Sequence, residues 1–227
     1  MLLAVDTSTA LASVALYDGT LQAETTWLAG RRHTEQVLPT AAALLELVGV
    51  GPEALRAVAV AIGPGSYTGL RVGLALAKGL ATARRLSIIG VETLEIVAAP
   101  WAACGRPVRA VVDAGRRRYA TALYDCADGV LVSREPARGV SLAELVAAVR
   151  PPMLVVGELD AGAREALGRV AGVTVASPTA GVRRAGVLAE LAWERWRRGE
   201  GADPAVIAPL YIGEQAQRDA GARRERA

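Results

Sequence analysis

The segment GPGSYTGLRVG (63–73) has the residue types of an anion-binding turn. Gly63, Pro64 and Gly65 make a turn that needs backbone angles most residues avoid, and Ser66 or Thr68 can cap a following helix. The N–H groups at such a helix start, around Gly65 and Ser66, suit a phosphate. It is not a Walker A loop: no Gly-Lys-Ser/Thr follows, and Arg71 is the nearby cation. The same residues also describe a tight strand-to-helix turn with an N-cap and no ligand. Asp6, Thr7 and Ser8 offer a second candidate, a strand-end aspartate followed by hydroxyls. That pattern makes either a local Asx turn or a holder for phosphate and a cation-bound water. Arg116, Arg117 and Arg118 form a basic run that is either a solvated face or a contact for a polyanion such as tRNA.

The single histidine narrows the chemistry further. His33 alone cannot build HExxH, a three-histidine zinc site or any histidine-pair metal centre. A Ser-His-Asp relay would have to run through His33, which reads as a surface residue in the polar stretch RRHTE. The expectation is therefore no catalytic residue, no metal site and no peptidase activity. Cys104 and Cys126 are too few for a disulfide framework and lack metal-ligand spacing.

Composition sets the frame. The chain has 227 residues, 52% hydrophobic and 22% charged, as a folded globular protein does. Its formal charge of +3 is too mild to mark a nucleic-acid binder by composition. One lysine, Lys78, stands against 25 arginines, a bias of coding preference before one of function. MLLAVDTST has no basic leader, and the longest apolar window, Leu70 to Ala83, contains Arg71 and Lys78. Neither a signal peptide nor a membrane span is expected, and a reducing cytoplasm is the expected location.

Apolar periodicity predicts strands at Leu2–Val5, Ala12–Tyr17 and Thr20–Trp27, then a helix over Thr34–Val48. Pro39 sits at the start of that helix or kinks its first turn. A strand over Ala57–Ile62, a helix over Thr68–Arg85 and a strand over Leu86–Val91 follow. Sliding the chain by 107 residues aligns VDTSTALASVALYD (5–18) with VDAGRRRYATALYD (112–125), matching Asp6 to Asp113 and Tyr17 to Tyr124. The simplest account is a duplicated β-β-β-α-β-α unit, the second copy shorter and degenerate. This is the α/β, two-lobed actin-like/Hsp70-like class (ASKHA, RNase H-like), with the aspartate hairpins facing a cleft. The expected domains are an N-terminal lobe over 1–104, a C-terminal lobe over 105–213 and a disordered tail over 214–227. The lobes are expected to divide near Ala103 to Pro107.

DTSTALASVALYDG, RRHTEQVLP and VAIGPGSYTGLRVGLALAKGLA followed by GVETLE resemble the TsaB (YeaZ) family, densely over residues 2 to 95. Asp113-Ala114 and PLYI (209–212) extend the likeness, although Gly115 separates Asp113-Ala114 from the arginines that usually follow directly. The resemblance implies a non-catalytic, essential scaffold subunit in the bacterial pathway that makes threonylcarbamoyladenosine beside the anticodon of tRNAs reading ANN codons. It implies a TsaD-like catalytic partner, a TsaE-like ATPase, tRNA reached through the complex, and a homodimer when TsaD is absent. No tightly bound cofactor is implied, with ATP or ADP at most at the complex interface. The partner-binding face is expected on the helices 34–48 and 68–85: Leu38, Ala41 and Leu45 on the first, and Thr68, Gly69, Arg71, Val72, Gly73, Leu76, Ala77 and Leu80 on the second. The Gly69-Gly73-Ala77 row is expected to admit a partner helix, so that arginine there would block association without unfolding the chain. An ATP-dependent kinase of the same fold is the alternative; it needs an adenosine loop, for which VVGELDAG (155–162) is the weak candidate. A nuclease using Asp6 and Asp113 with two metals fails because the repeat puts them in separate halves.

Overall fold

Short runs of small and β-branched apolar residues, punctuated by Asp-Gly and Gly-Pro turns, become the strands, and the 3.6-residue stripes between them become helices. A computed structural model describes residues 1–127 and 129–212. The tail expected over 214–227 lies outside the described residues. In the first unit the strands are β1 (Leu2–Asp6), β2 (Leu11–Tyr17) and β3 (Leu21–Leu28), followed by α1 (His33–Leu47), β4 (Ala57–Gly63), α2 (Tyr67–Arg84) and β5 (Ser87–Glu92). After α3 (Thr93–Ala98) the second unit runs β6 (Val108–Asp113), β7 (Tyr119–Ala127), β8 (Val130–Val140), α4 (Leu142–Ala148), β9 (Met153–Gly157), α5 (Ala161–Gly168) and β10 (Val173–Val175). A further helix, α6 (Ala185–Arg197), follows.

The duplication holds strand for strand. The first sheet has the order β3-β2-β1-β4-β5 and the second β8-β7-β6-β9-β10 read in the same sense. In each, the first three strands form an antiparallel meander and the outer two add in parallel. Asp6 pairs with Ser13 and Asp113 with Tyr119, so both aspartates close the first strand at its hairpin, as the 107-residue repeat requires. The likeness extends to a place the repeat did not reveal. Gly63 and Gly157 end the fourth strand of each copy with φ of +113° and +111°, and Ser66 and Asp160, each three residues on, cap the following helix. The second copy is complete in strand order; its shortening lies in the helices, where 15 and 18 residues become 7 and 8.

Two sequence expectations change. The units divide at Ile96/Val97 rather than near Ala103 to Pro107, and Arg183–Pro209 belongs to the first unit, not to a lobe running over 105–213. The cause is packing. Alternation sends Leu3 and Val5 to one face of the first sheet, where α1 and α2 lie, and Leu2 and Ala4 to the other. That second face is paved with Ala15, Ala57, Ala59 and Ala61, and α6 fills it with Ala185, Leu188, Ala189 and Ala192. A face of alanines lets a helix approach closely, so the chain must return to cover it. Glu24 on β3 fixes the helix start, accepting from the Gly186 amide at 2.9 Å and from Arg184. Arg195 anchors the other end on Glu95 and the Gly90 carbonyl. Pro39 also differs from expectation: it lies inside α1, in the second turn, on the exposed side where its ring meets no core.

Leu188 is fully buried between α6 and the alanine face. Leu188→Ala is expected to cost about 2–5 kcal/mol, measured as a shift in the denaturant midpoint, because it leaves a cavity in a fully buried cluster.

Candidate functional site

Asp6 lies at the end of β1 with 0% of its surface exposed. Its carboxylate accepts from the Ser8 amide at 2.8 Å and the Ser8 hydroxyl at 2.6 Å, closing the Asx turn. The Arg183 guanidinium donates to both carboxylate oxygens and, at 3.1 Å, to the Thr9 hydroxyl. Both side chains of this ion pair are sealed, at 1% and 0% exposure. Low dielectric strengthens the attraction, and the added hydrogen bonds offset the desolvation of two charges.

The GPGSYTG turn locks onto the same loop. The Ser66 amide donates to the Ser8 carbonyl at 2.6 Å, and the Ser66 hydroxyl caps α2 by accepting from the Gly69 amide at 3.3 Å. Thr7 donates its hydroxyl to the Gly69 carbonyl at 2.7 Å. The glycines are required by this contact. A β-carbon on Gly65 would stand 2.0 Å from the Ser8 carbonyl oxygen, one on Gly69 2.1 Å from that of Thr7, and one on Gly73 2.4 Å from the Thr7 hydroxyl.

The phosphate expectation for Asp6, Thr7, Ser8, Gly65 and Ser66 is thereby corrected. The carboxylate is engaged by Arg183, the Ser66 and Gly69 amides are donated internally, and Asp6, Thr7 and Ser8 are buried. The residues form a structural junction between β1, α2 and the returning chain before α6. Arg183 was missed from the sequence because its partner lies 177 positions away; the Arg183-Arg184 pair ahead of an amphipathic stretch was the available signal. His33 is also corrected. It is 6% exposed rather than a surface residue, and its Nε2–H donates to the Thr9 carbonyl at 2.9 Å. A carbonyl only accepts, so the proton is on Nε2.

The expected partner face divides in two. Gly69, Gly73 and Ala77 point inward, the glycines against Thr7 and Ala77 against Val58 and Val60. Ala41 and Leu45 are buried against β1 and β2. These five are core, not interface, because the sheet and the Thr7 loop already occupy the space beside them. What remains open is a groove of about 520 Å³ between α1 and α2, with His33 and Val37 at its floor and Leu38, Thr68, Arg71, Val72, Ala75 and Leu76 around it. Leu38 is 52% exposed and Tyr67 59%. Arg71 lies over the Tyr67 ring and donates to its hydroxyl at 2.6 Å, placing a cation at the rim. Leu80, half-buried, packs under Leu86 beyond the groove.

In the second unit Asp113 takes the place of Asp6 but not its role. It is exposed and, among the described residues, accepts a local bond from the Gly115 amide at 2.8 Å. Gly115, Arg116 and Arg117 have φ of +75°, +52° and +58°, so the inserted glycine opens a left-handed turn that carries two arginines outward. Arg118 instead donates to the Gly139 carbonyl at 2.9 Å. Tyr119 donates its hydroxyl to Asp160 at 2.5 Å. Burial and this bond push the phenol up to about 12, and the same bond, with the Ala163 amide, holds the Asp160 carboxyl low.

A family model described as TsaD, tRNA N6-adenosine threonylcarbamoyltransferase, matches residues 27–163. A Bacillus subtilis relative described as tRNA threonylcarbamoyladenosine biosynthesis protein TsaB is 35% identical over 63% of this chain and 63% of its own length. The Escherichia coli protein of the same description is 43% identical over 43% of this chain and 42% of its own. A solved structure from Pseudomonas aeruginosa, described as similar to peptidase YeaZ, superposes with a TM-score of 0.77 at 27% identity, covering 93% of this chain and 98% of that one. The chain belongs to this family, on its TsaB (YeaZ) branch. The aligned stretches span less than two thirds of the two curated TsaB relatives. The family match takes in the groove, the GPGSYTG turn and the Asp113 loop, and leaves out both Asp6 and Arg183. The two-lobed actin-like fold of the branch is the one described above.

Three substitutions at two positions test the junction. Asp6→Asn strands the buried guanidinium and is expected to lower stability by about 3–5 kcal/mol. Gly73→Ala forces the Thr7 hydroxyl aside and is expected to cost about 1–3 kcal/mol, and Gly73→Arg to prevent folding, reversing the expectation that arginine would be tolerated there. Thermal or urea unfolding of the purified variants checks all three.

Proposed function

We propose that this TsaB-family chain is the non-catalytic subunit of the bacterial assembly that transfers a threonylcarbamoyl group to the adenosine 3′ of the anticodon. The observation that carries the reading is the groove between α1 and α2: an open apolar surface with a cationic rim, lying beside a fold whose own Asp6 junction is closed. Exposed apolar area of this kind is normally covered by another chain. A TsaD-like subunit is the proposed occupant, supported by the TsaB relatives and by the TsaD family match across the groove. Two helix pairs meeting there would bury on the order of 1,600 Å², enough for a stable complex. Without TsaD, the groove meets a second copy in a two-fold homodimer. A TsaE-like ATPase joins the assembly, and tRNA reaches it with the exposed Arg116 and Arg117 as contacts. Any ATP or ADP is then held at a subunit junction rather than by Asp6, which is engaged by Arg183.

The loop that the kinase alternative needs, 155–162, is the end of β9 and the start of α5, where Asp160 accepts from the Ala163 amide and the Tyr119 hydroxyl. The nuclease alternative places Asp6 and Asp113 on different sheets.

Ala75 lines the groove, is exposed, and touches no core cluster. Ala75→Arg is expected to leave the unfolding midpoint unchanged while weakening TsaD association by on the order of a hundredfold and reducing tRNA modification with it. Titration calorimetry against a purified TsaD-like protein checks this. A well-folded Ala75→Arg chain that binds and supports modification at full strength refutes the assignment.

A further inference from the structure

The floor of the α1–α2 groove holds an imidazole. His33 opens α1, is 6% exposed, and lines the groove among Val37, Leu38, Val72 and Leu76. Its Nε2–H donates to the Thr9 carbonyl at 2.9 Å, which leaves Nδ1 as a bare acceptor. Thr9 is itself held, its hydroxyl accepting from Arg183 at 3.1 Å, so the Asp6 junction sets the tautomer. Among the described residues, nothing donates to Nδ1. Nor is Nδ1 sealed: the fully buried polar side-chain atoms without a partner are Thr93 Oγ1 and Arg109 Nε. Water therefore reaches Nδ1, and the groove is the opening that His33 lines. The other polar side chains there, Thr34, Tyr67, Thr68 and Arg71, are exposed and stay hydrated at the rim. Nδ1 differs from them. An occupant that covers the floor strips its water and must supply a donor or leave a buried acceptor unsatisfied.

We propose that His33 Nδ1 determines the specificity of the groove: the TsaD-like subunit that fills it presents an N–H or O–H donor to this nitrogen, set among aliphatic side chains. The inference rests on the reading of the groove as the subunit face. An aliphatic side chain or a carbonyl oxygen in the same place is selected against, because neither brings a hydrogen to the stripped acceptor. Apolar surface alone does not choose a partner; one buried acceptor of fixed direction does. The junction thus reaches the groove through Thr9, whose carbonyl holds the Nε2 proton and so keeps the opposite nitrogen an acceptor.

His33 is the only histidine, so a full chain labelled with the heavy nitrogen isotope in its histidine ring gives one pair of ring-nitrogen resonances. In mildly alkaline buffer the expected pattern is a protonated Nε2 and a bare Nδ1. Adding a purified TsaD-like protein should shift the Nδ1 resonance in the direction of an accepted hydrogen bond and leave Nε2 in place. Two variants separate the roles. Glutamine sets an amide nitrogen near the Nε2 position, so His33→Gln should keep the Thr9 contact and the unfolding midpoint while weakening association by on the order of tenfold. Asparagine sets its amide near Nδ1, so His33→Asn should lower the midpoint yet bind more tightly than His33→Gln. A merely structural histidine would rank the two variants the other way. A protonated Nδ1 in the chain alone overturns the proposal, as does an unmoved Nδ1 in a complex that Ala75→Arg weakens; neither result depends on whether a histidine variant folds. A TsaD-like protein that does not bind, or binds indifferently to Ala75→Arg, overturns the reading of the groove and this inference with it.

Discussion

The buried pairing of Asp6 with Arg183 is the constraint on which the first unit depends. It joins the end of the first strand to the chain just before α6, 177 positions on. An isolated charge at either position would be prohibitive in this interior, so neither element can leave without exposing the other. The pair therefore fixes where α6 begins, and Glu24 and Glu95 fix its two ends from β3 and the segment after β5. With α6 so held, the alanine face of the first sheet is covered by the residue types that suit it, alanine against alanine.

From that junction the placement of the groove follows. Thr7, held by its hydroxyl to the Gly69 carbonyl, draws the first turns of α2 so close to the β1–β2 loop that only glycine fits at 65, 69 and 73. Gly69 and Gly73 of α2 are taken up by this approach. What α2 has left for the outside is the opposite flank, with Arg71, Val72, Ala75 and Leu76, and α1 sets Leu38 across from it. Inward closeness and outward availability are two sides of one helix. The open groove is a consequence of the packing rather than an independent feature.

The two copies of the repeat show how one topology supports different uses. Strand order, the aspartate at the first strand's end, the left-handed glycine closing the fourth strand and the capping residue three places on are common to both. The surroundings differ. In the first copy a returning arginine neutralises and buries the aspartate; in the second the equivalent aspartate faces solvent beside a left-handed arginine turn. Fold symmetry thus gives no licence to transfer a role from one aspartate to the other.

The sequence by itself determined the α/β class, the duplicated unit, the strands and helices of β1 to β5 to within a residue or two, and the family. These are local or repeated signals: apolar period, turn chemistry at Asp18-Gly19 and Gly63-Pro64, the 107-residue echo, and the specific GPGSYTGLRVG run. Leu38, Arg71, Val72 and Leu76, which it set on outward helix faces, line the groove, because exposed and half-buried positions follow helix phase. Tertiary structure alone decided the rest. Small residues at four-residue spacing say that something approaches closely, but not whether it is a partner helix or the chain's own Thr7 loop. A strand-end aspartate says that an acceptor is held there, but not that Arg183 fills it from 177 residues away. Each of these turns on which distant group occupies a given space, and steric exclusion and charge pairing between segments far apart in sequence leave no local pattern to read.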